Sequence, residues 1–146
     1  MNFTTIYLPL KRRFFGIKYP FYSPNNPPMP CDSPYISVDS LGGARILTLD
    51  RPKALNALDL SMIESISSAL SFWERSPECR VVILKSPFGS RAFCAGGDIL
   101  HIALSRRKPK EQLNFFTKEY SLNHQIGTYS KPIVSILDGY TSKLFF

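Results

Sequence analysis

The order of predicted strands and helices along these 146 residues indicates an α/β fold built of packed layers. Short apolar runs at residues 46–49, 81–84 and 133–137 have the length and composition of strands. Apolar residues at helical spacing separate these runs at 62–73 and 113–122. The predicted order is therefore two strands, a helix, a strand, a helix and a strand.

A hairpin, or two successive strands, is expected to open the domain. Apolar Ile36 and Val38 alternate with polar neighbours, as in a strand with one buried face. The glycine pair at 42–43 then supplies a turn, after which residues 45–49 return as the second strand. The run at 81–84 is continuous rather than alternating, which predicts a strand covered on both faces.

Two helices are expected between the strands. Ser61 and Glu64 form a capping box, which predicts the start of the first helix, and Pro77 closes it. Pro109 suits the first turn of the second helix. The apolar anchors expected on the first helix are Met62, Ile66, Ala69, Leu70 and Trp73, and those expected on the second are Leu113, Phe116, Tyr120 and Leu122.

The first 31 residues differ in character from the rest of the chain. They carry four basic residues, no acidic residue and a partly amphipathic pattern that Pro9 interrupts. This composition is typical of a mitochondrial transit peptide, and the alternative is a disordered tail. Six prolines between residues 20 and 34 then predict an extended linker. We place the domain boundary near Asp32.

Charge and cysteine content exclude several kinds of site. Subtracting the four basic residues of the leader from the net charge of +7 leaves +3, so the body of the chain is only mildly basic and a nucleic-acid partner is not expected. No stretch approaches the roughly 20 apolar residues that span a bilayer. Three cysteines and two histidines show no metal-ligand spacing, and no metal site is expected.

The turn at residues 93–98, Phe-Cys-Ala-Gly-Gly-Asp, is the most informative segment for chemistry. A predicted strand runs into two glycines, and a helix is expected to begin at Asp98. Backbone N–H groups at such a turn can bind an anion or a developing oxyanion, and glycine lets a ligand approach closely. The alternative is a tight turn with Asp98 as a helix cap. A nucleophilic role for Cys94 is not expected, because no histidine is near it in sequence.

Three ordered motifs resemble those of the crotonase (enoyl-CoA hydratase/isomerase) superfamily. They read RPKALNAL at 51–58, FCAGGDI at 93–99 and KPIVSILDGYT at 131–141. The segment FFTKEYSLN at 115–123 is similar to the 3-hydroxyisobutyryl-CoA hydrolase branch of that superfamily. The resemblance implies that residues 32–141 are the N-terminal part of a crotonase domain. The expected fold is a partial ββα superhelix that stops before its second half.

The resemblance also implies a binding mode. In that family the thioester carbonyl of an acyl-CoA accepts hydrogen bonds from two backbone N–H groups, and Gly97 matches the first. The acid of the hydrolase branch, matched by Glu119, lies at the substrate site. Coenzyme A is part of the substrate, and no separate cofactor is implied. The residues that match the family's substrate-binding positions are Lys53, Ala54, Leu55, Ala95, Gly96, Gly97, Asp98 and Glu119.

Residues 142–146 depart from the family pattern and are interpreted as an aberrant tail. The second oxyanion donor and the catalytic carboxylates of the hydrolase have no counterpart here. Losing one oxyanion donor typically lowers the rate about 10²–10³-fold, so we expect this chain to be inactive as an enzyme.

The function that the resemblance implies for the family is hydrolysis of 3-hydroxyisobutyryl-CoA in valine breakdown, in the mitochondrial matrix, while this chain itself is expected to be inactive. An enoyl-CoA hydratase or isomerase relative and a non-catalytic fragment that binds CoA or a subunit remain as alternatives. The expected partner is an acyl-CoA, with neither nucleic acid nor membrane involved. The full-length family member could form a homo-oligomer.

Overall fold

The computed structural model describes residues 32–104 and 108–142, so the predicted transit peptide with its linker and residues 143–146 of the predicted tail lie outside the described residues. Within the described residues six strands are interspersed with three α-helices, which confirms the α/β class. The elements are β1 (Ile36–Leu41), β2 (Ala44–Leu49), α1 (Leu60–Arg75), β3 (Val81–Lys85), β4 (Ala92–Cys94), α2 (Ile99–Leu104), α3 (Pro109–Gly127), β5 (Ile133–Ile136) and β6 (Tyr140–Thr141).

The larger sheet contains four strands in the order β1-β2-β3-β5. The hairpin predicted around the glycine pair forms, with β1 antiparallel to β2. β3 pairs parallel to β2 and to β5, so the connections between these strands must cross over the sheet, and helices supply them. β4 and β6 pair in parallel as a second, two-stranded sheet, which the sequence did not predict.

Helix α1 supplies much of the core between these layers. All five apolar residues predicted to face inward are buried, and Trp73 is 1% exposed. Burying side chains of this size stabilises the fold by about 1.5–3 kcal/mol each. The prediction that β3 is covered on both faces is partly confirmed. Val82 and Leu84 on one face are buried, while Val81 and Ile83 on the other are half-buried.

The predicted capping box at the start of α1 is wrong. Asp59 is the N-cap, and its side chain accepts a hydrogen bond from the backbone N–H of Met62 at 2.9 Å. Ser61 instead donates to the Asp59 carboxylate at 2.8 Å, and Glu64 pairs with Lys118 of α3 at 3.5 Å. An ionised cap at the helix N-terminus satisfies an unpaired N–H group and meets the positive end of the helix dipole.

Helix α3 begins at Pro109 as predicted, but its buried face is a different one. Leu113 and Tyr120 are 69% and 68% exposed, and Phe116 is 39% exposed, so three of the four predicted anchors are wrong. Leu122 is confirmed. The buried residues of α3 are Phe115, Glu119, Leu122 and Ile126.

Contacts with α1 set this rotation of α3. The amide of Gln125 exchanges hydrogen bonds with the hydroxyl and the carbonyl of Ser67 at 2.7 Å and 3.2 Å. Beyond the helix, the Tyr129 hydroxyl donates to the Leu70 carbonyl at 2.7 Å. These bonds hold the Phe115–Glu119 row of α3 towards the core. Among the helices that the structure describes, none is long and apolar enough to cross a membrane.

Candidate functional site

Two loops lie side by side and form the candidate site. The first, residues 51–58, follows β2, and the second, residues 95–98, follows β4. Three backbone hydrogen bonds join them: Ala95 N–H to the Leu55 carbonyl at 3.1 Å, Leu58 N–H to the Gly96 carbonyl at 2.8 Å, and Asp98 N–H to the Leu58 carbonyl at 2.9 Å. The structure therefore brings together the two motifs that the sequence singled out.

Asn56 holds the first loop in an unusual conformation. Leu55 and Asn56 are consecutive left-handed residues, with φ values of 53° and 55°. The Asn56 side chain is fully buried, accepts from the Arg51 N–H at 2.7 Å and donates to the Ala92 carbonyl at 2.8 Å. Asparagine tolerates this backbone region better than most residues, which is the sequence signal for the role. Sequence reasoning missed it.

The peptide between Gly96 and Gly97 sets the direction of a free N–H group. Its carbonyl is bonded to Leu58, and a trans peptide directs its N–H to the opposite side. No described residue accepts a hydrogen bond from the Gly97 N–H. Gly96 has φ of 90°, a conformation that favours glycine. The turn therefore presents one unpaired backbone donor away from the first loop.

Glu119 of α3 lies directly against Gly97. A Cβ atom at Gly97 would stand 2.6 Å from Oε1 of Glu119 and 3.2 Å from the Phe115 ring, so glycine is required by close approach as well. Glu119 is 9% exposed, and no residue in the described ranges pairs with its carboxylate. Burial raises the pKa of this carboxyl group above its usual range. A buried acid without a partner beside a free N–H is typical of a binding site.

The remaining predicted site residues lie along the outer side of the two loops. Lys53 is exposed on a single 3-10 turn, Pro52–Ala54, while Ala54 and Leu55 are half-buried. Ala95 is exposed beside Leu55. Small side chains at this edge leave the backbone open to an extended ligand, and Lys53 could meet an anionic group there as a point charge.

Asp98 directly precedes α2, as predicted to within one residue. Its carboxylate accepts a hydrogen bond from Arg51 at 2.7 Å, a partner that the sequence did not indicate. Arg51 also lies 3.7 Å from the Asp59 carboxylate and stacks over the Tyr35 ring at 5.4 Å. The half-buried ion pair links the glycine turn to the first loop.

The chemistry of a thiol nucleophile does not fit Cys94. Its side chain is fully buried, and burial raises the pKa of the thiol to about 11, with a smaller contribution from the Glu119 charge. The Gly96 N–H donates to its sulfur at 3.4 Å, which only partly offsets this rise. A thiol with this pKa is almost entirely protonated at neutral pH, and the thiolate is the reactive form.

The side chains of the candidate site do not form a typical set of metal ligands. Residues 32–104 and 108–142 contain no group of three histidine, cysteine or acidic side chains that could hold one. Glu119 is instead a single carboxylate beside Gly97, whose N–H has no acceptor among the described residues. This pairing suits an organic ligand that offers a carbonyl oxygen and a hydrogen-bond donor a few bonds apart.

Comparisons with known proteins identify the family of the chain. A family model described as enoyl-CoA hydratase/isomerase matches residues 44–142. The chain is 50% identical over 102 residues to the mitochondrial 3-hydroxyisobutyryl-CoA hydrolase of Xenopus tropicalis, which covers 68% of this chain and 26% of that protein. A carnitinyl-CoA dehydratase structure from Mycobacterium thermoresistibile aligns with a TM-score of 0.68 at 40% identity, covering 73% of this chain and 32% of that one.

Similar proteins also carry a different kind of name. The chain is 45% identical over 105 residues to small ribosomal subunit protein mS47 of Schizosaccharomyces pombe, which covers 70% of this chain and 24% of that protein. The chain therefore spans about a quarter of the length of the curated relatives it matches.

Proposed function

Because the chain belongs to the enoyl-CoA hydratase/isomerase family, we propose that it binds an acyl-CoA through the Gly97 turn, namely 3-hydroxyisobutyryl-CoA, the thioester in the name of the hydrolase it resembles. The observation that carries the proposal is the Gly97 N–H, which faces away from the first loop and lies beside the buried Glu119. A thioester carbonyl placed at this N–H would accept its hydrogen bond, and negative charge developing on that oxygen would strengthen it.

Glu119 would bind the acyl part of the ligand. An ionised carboxylate accepts hydrogen bonds strongly, and the hydroxyl group of a 3-hydroxyacyl chain is a donor near the thioester carbon. Because burial raises the pKa of Glu119, a ligand hydroxyl that stabilises its charged form would repay part of that penalty. This contact would favour hydroxyacyl over plain acyl thioesters.

Coenzyme A would lie along the outer side of the two loops. Ala54, Leu55 and Ala95 offer small or half-buried positions against which the CoA arm could pack. Exposed Lys53 would then meet one of its phosphates.

Hydrolysis needs more than these groups. Water must attack the thioester carbon, the C–S bond must break, and the thiolate must take up a proton, which calls for acid–base groups worth about 10²–10⁴ in rate. Glu119 alone lies beside Gly97 among the carboxylates free of an ion pair in the described residues. We therefore propose that these 146 residues bind the thioester without turning it over at an appreciable rate.

The proposed location is mitochondrial. The hydrolase of Xenopus tropicalis is named as mitochondrial, and the acid-free basic leader of this chain has the composition of a transit peptide. Fusion of residues 1–31 to a fluorescent reporter tests this. Import that is lost on Arg12→Glu with Arg13→Glu supports the proposal, and a cytosolic signal unaffected by these changes contradicts it.

A second candidate is a non-catalytic role as a subunit of an assembly. The 45% identity to a protein named as a ribosomal subunit favours it, since that value is close to the 50% identity to the hydrolase. The two candidate functions differ in whether the chain binds an acyl group. A subunit without such a ligand would not need a free oxyanion donor beside a buried acid.

Calorimetric titration of the 146-residue chain with 3-hydroxyisobutyryl-CoA and with free CoA tests the proposed function. Tighter binding of the thioester supports it. Release of free thiol, measured in parallel, should not exceed the rate without protein by more than about tenfold. Absence of binding to either ligand, with the chain shown to be folded, would favour the subunit role.

A further inference from the structure

The guanidinium of Arg51 connects three segments around the candidate site. Its Nη1 donates to Oδ2 of Asp98 at 2.7 Å and to the Ala57 carbonyl at 3.0 Å. Its Nε lies 3.7 Å from Oδ2 of Asp59, the residue that caps α1. One side chain therefore joins the first loop, the start of α1 and the glycine turn.

The glycine turn needs an anchor of this kind. Two adjacent glycines give residues 96–97 more backbone freedom than any other pair of residues would. On one side of Gly97, the Gly96 carbonyl is held by the Leu58 N–H at 2.8 Å. On the other side, Asp98 is held through its N–H by Leu58 and through its carboxylate by Arg51. The direction of the Gly97 N–H depends on both attachments.

The ion pair between Arg51 and Asp98 is partly buried, which restricts the geometry of the contact. The Arg51 and Asp98 side chains are 21% and 12% exposed. Burial alone would lower the pKa of Arg51, but the hydrogen bond and charge of Asp98, together with the charges of Asp59 and Tyr35, outweigh this effect and raise it. A hydrogen bond between ionised partners at this distance restricts orientation more than a neutral one does.

We propose that Arg51 is a positioning residue: through Asp98 it orients the Gly97 N–H, and it thereby sets affinity for the acyl thioester but not for the rest of coenzyme A. The ligand part rests on the proposed function. Arg51 does not touch the ligand in this account. Its effect should therefore appear in a comparison of two ligands that differ only in the presence of an acyl group with its thioester carbonyl.

The variant Arg51→Lys keeps the charge but loses the planar guanidinium whose Nη1 reaches Asp98 and Ala57 while its Nε lies near Asp59. The matched control is Arg45→Lys, which changes a buried arginine of β2 that pairs with Glu78 at 3.5 Å and contacts neither loop. Isobutyryl-CoA and free CoA are the probes for titration of the full chain. The chemical shift and line width of the Gly97 amide signal, measured by NMR without ligand, are the second readout.

Arg51→Lys should weaken isobutyryl-CoA binding about tenfold and change CoA binding less than about twofold. The Gly97 amide signal should shift or broaden, while Arg45→Lys should leave both affinities and this signal near those of the parent chain. Equal loss of both ligands, or no change in either, overturns the proposal, because a merely structural role would not distinguish the ligands.

Asp98→Asn provides a milder variant, which serves if Arg51→Lys fails to fold. It should reproduce the selective loss, and the double variant should be no weaker than Arg51→Lys alone, since both changes break the contact between Arg51 and Asp98. Additive losses would mean that Asp98 acts on the ligand separately, and would overturn the proposal. If the parent chain binds neither ligand, the proposed function fails. The Gly97 amide signal then decides the positioning role, and an unmoved signal overturns it.

Discussion

Helices α1 and α3 pack against each other but differ in the kind of residue that they bury. α1 buries an apolar face whose residues were predicted from their spacing in the sequence. The last of these residues, Trp73, is 1% exposed. α3 carries two competing rows at helical spacing. The row with Leu113, Phe116 and Tyr120 faces outward, and the row that holds the acid Glu119 together with the apolar Phe115, Leu122 and Ile126 faces inward.

The difference separates a helix whose buried face carries no charged residue from a helix whose buried face also carries an acid. Burial of the apolar Phe115, Leu122 and Ile126 favours the observed rotation of α3, but it does not account for Glu119 on the same face. The rotation places that acid beside Gly97 at a cost in desolvation. Local departures from the hydrophobic pattern of this kind are expected at functional positions.

The largest difference should appear on truncating one apolar side chain in each helix. Trp73→Ala in α1 should lower the free energy of unfolding by about 3–5 kcal/mol, because it leaves a cavity in the core. Leu113→Ala in α3 should change it by less than about 0.5 kcal/mol, since that side chain is 69% exposed. Urea denaturation followed by circular dichroism measures both. Comparable losses would mean that α3 is rotated differently.

A methyl group at the contact between α3 and the glycine turn should have an intermediate effect. Gly97→Ala places a Cβ 2.6 Å from the Glu119 carboxylate, and overpacking of this kind typically costs about 1–3 kcal/mol. Gly127→Ala, at the end of the same helix, meets open space and should change stability by less than about 1 kcal/mol. Chemical denaturation of the two variants compares them. Equal stability of the two variants would mean that the Glu119 side chain does not lie against Gly97.

The smallest effect concerns pH. Burial raises the folded-state pKa of Glu119 above its usual value of 4.5, so the folded state binds the proton more tightly than the unfolded state. Stability contributed by the neutral acid is complete below the unfolded pKa and is lost as pH rises through the folded one. Glu119→Gln should remove this pH-dependent contribution to stability. The free energy of unfolding of the variant, relative to that of the parent chain, should therefore rise with pH between the unfolded-state and folded-state pKa of Glu119.

Denaturation midpoints of the parent chain and Glu119→Gln, measured from pH 4 to pH 8, test this expectation. Glu64→Gln is the control, since Glu64 is exposed on α1. A constant difference between parent and Glu119→Gln across the range would contradict a buried, unpaired carboxylate.

The sequence predicted the parts of the fold that local pattern determines. The hairpin, α1 and the start of α3 at Pro109 follow from alternation, helical spacing and proline. The buried face of α3 could not be predicted, because its two rows are equally periodic and only packing on α1 chooses between them. The two-residue strand β6 is too short to leave a pattern.

For the candidate site, the motifs identified which segments meet, but not how they are held. The ion pair between Arg51 and Asp98 joins residues 47 positions apart, and no local spacing indicates it. Asn56 is likewise bonded to Ala92 across 36 positions. Such contacts are products of tertiary structure, although the residues themselves stand inside the motifs that the sequence singled out.

The central claim, that the Gly97 N–H binds a thioester carbonyl beside Glu119, is tested most directly by the Gly97 amide signal in ¹H–¹⁵N NMR spectra. Titration with isobutyryl-CoA should shift this signal downfield in a saturable way, because a new acceptor reaches its proton, whereas free CoA should shift the exposed Ala95 region but leave Gly97 nearly unmoved. Saturable binding of isobutyryl-CoA with no movement of the Gly97 signal would contradict the account.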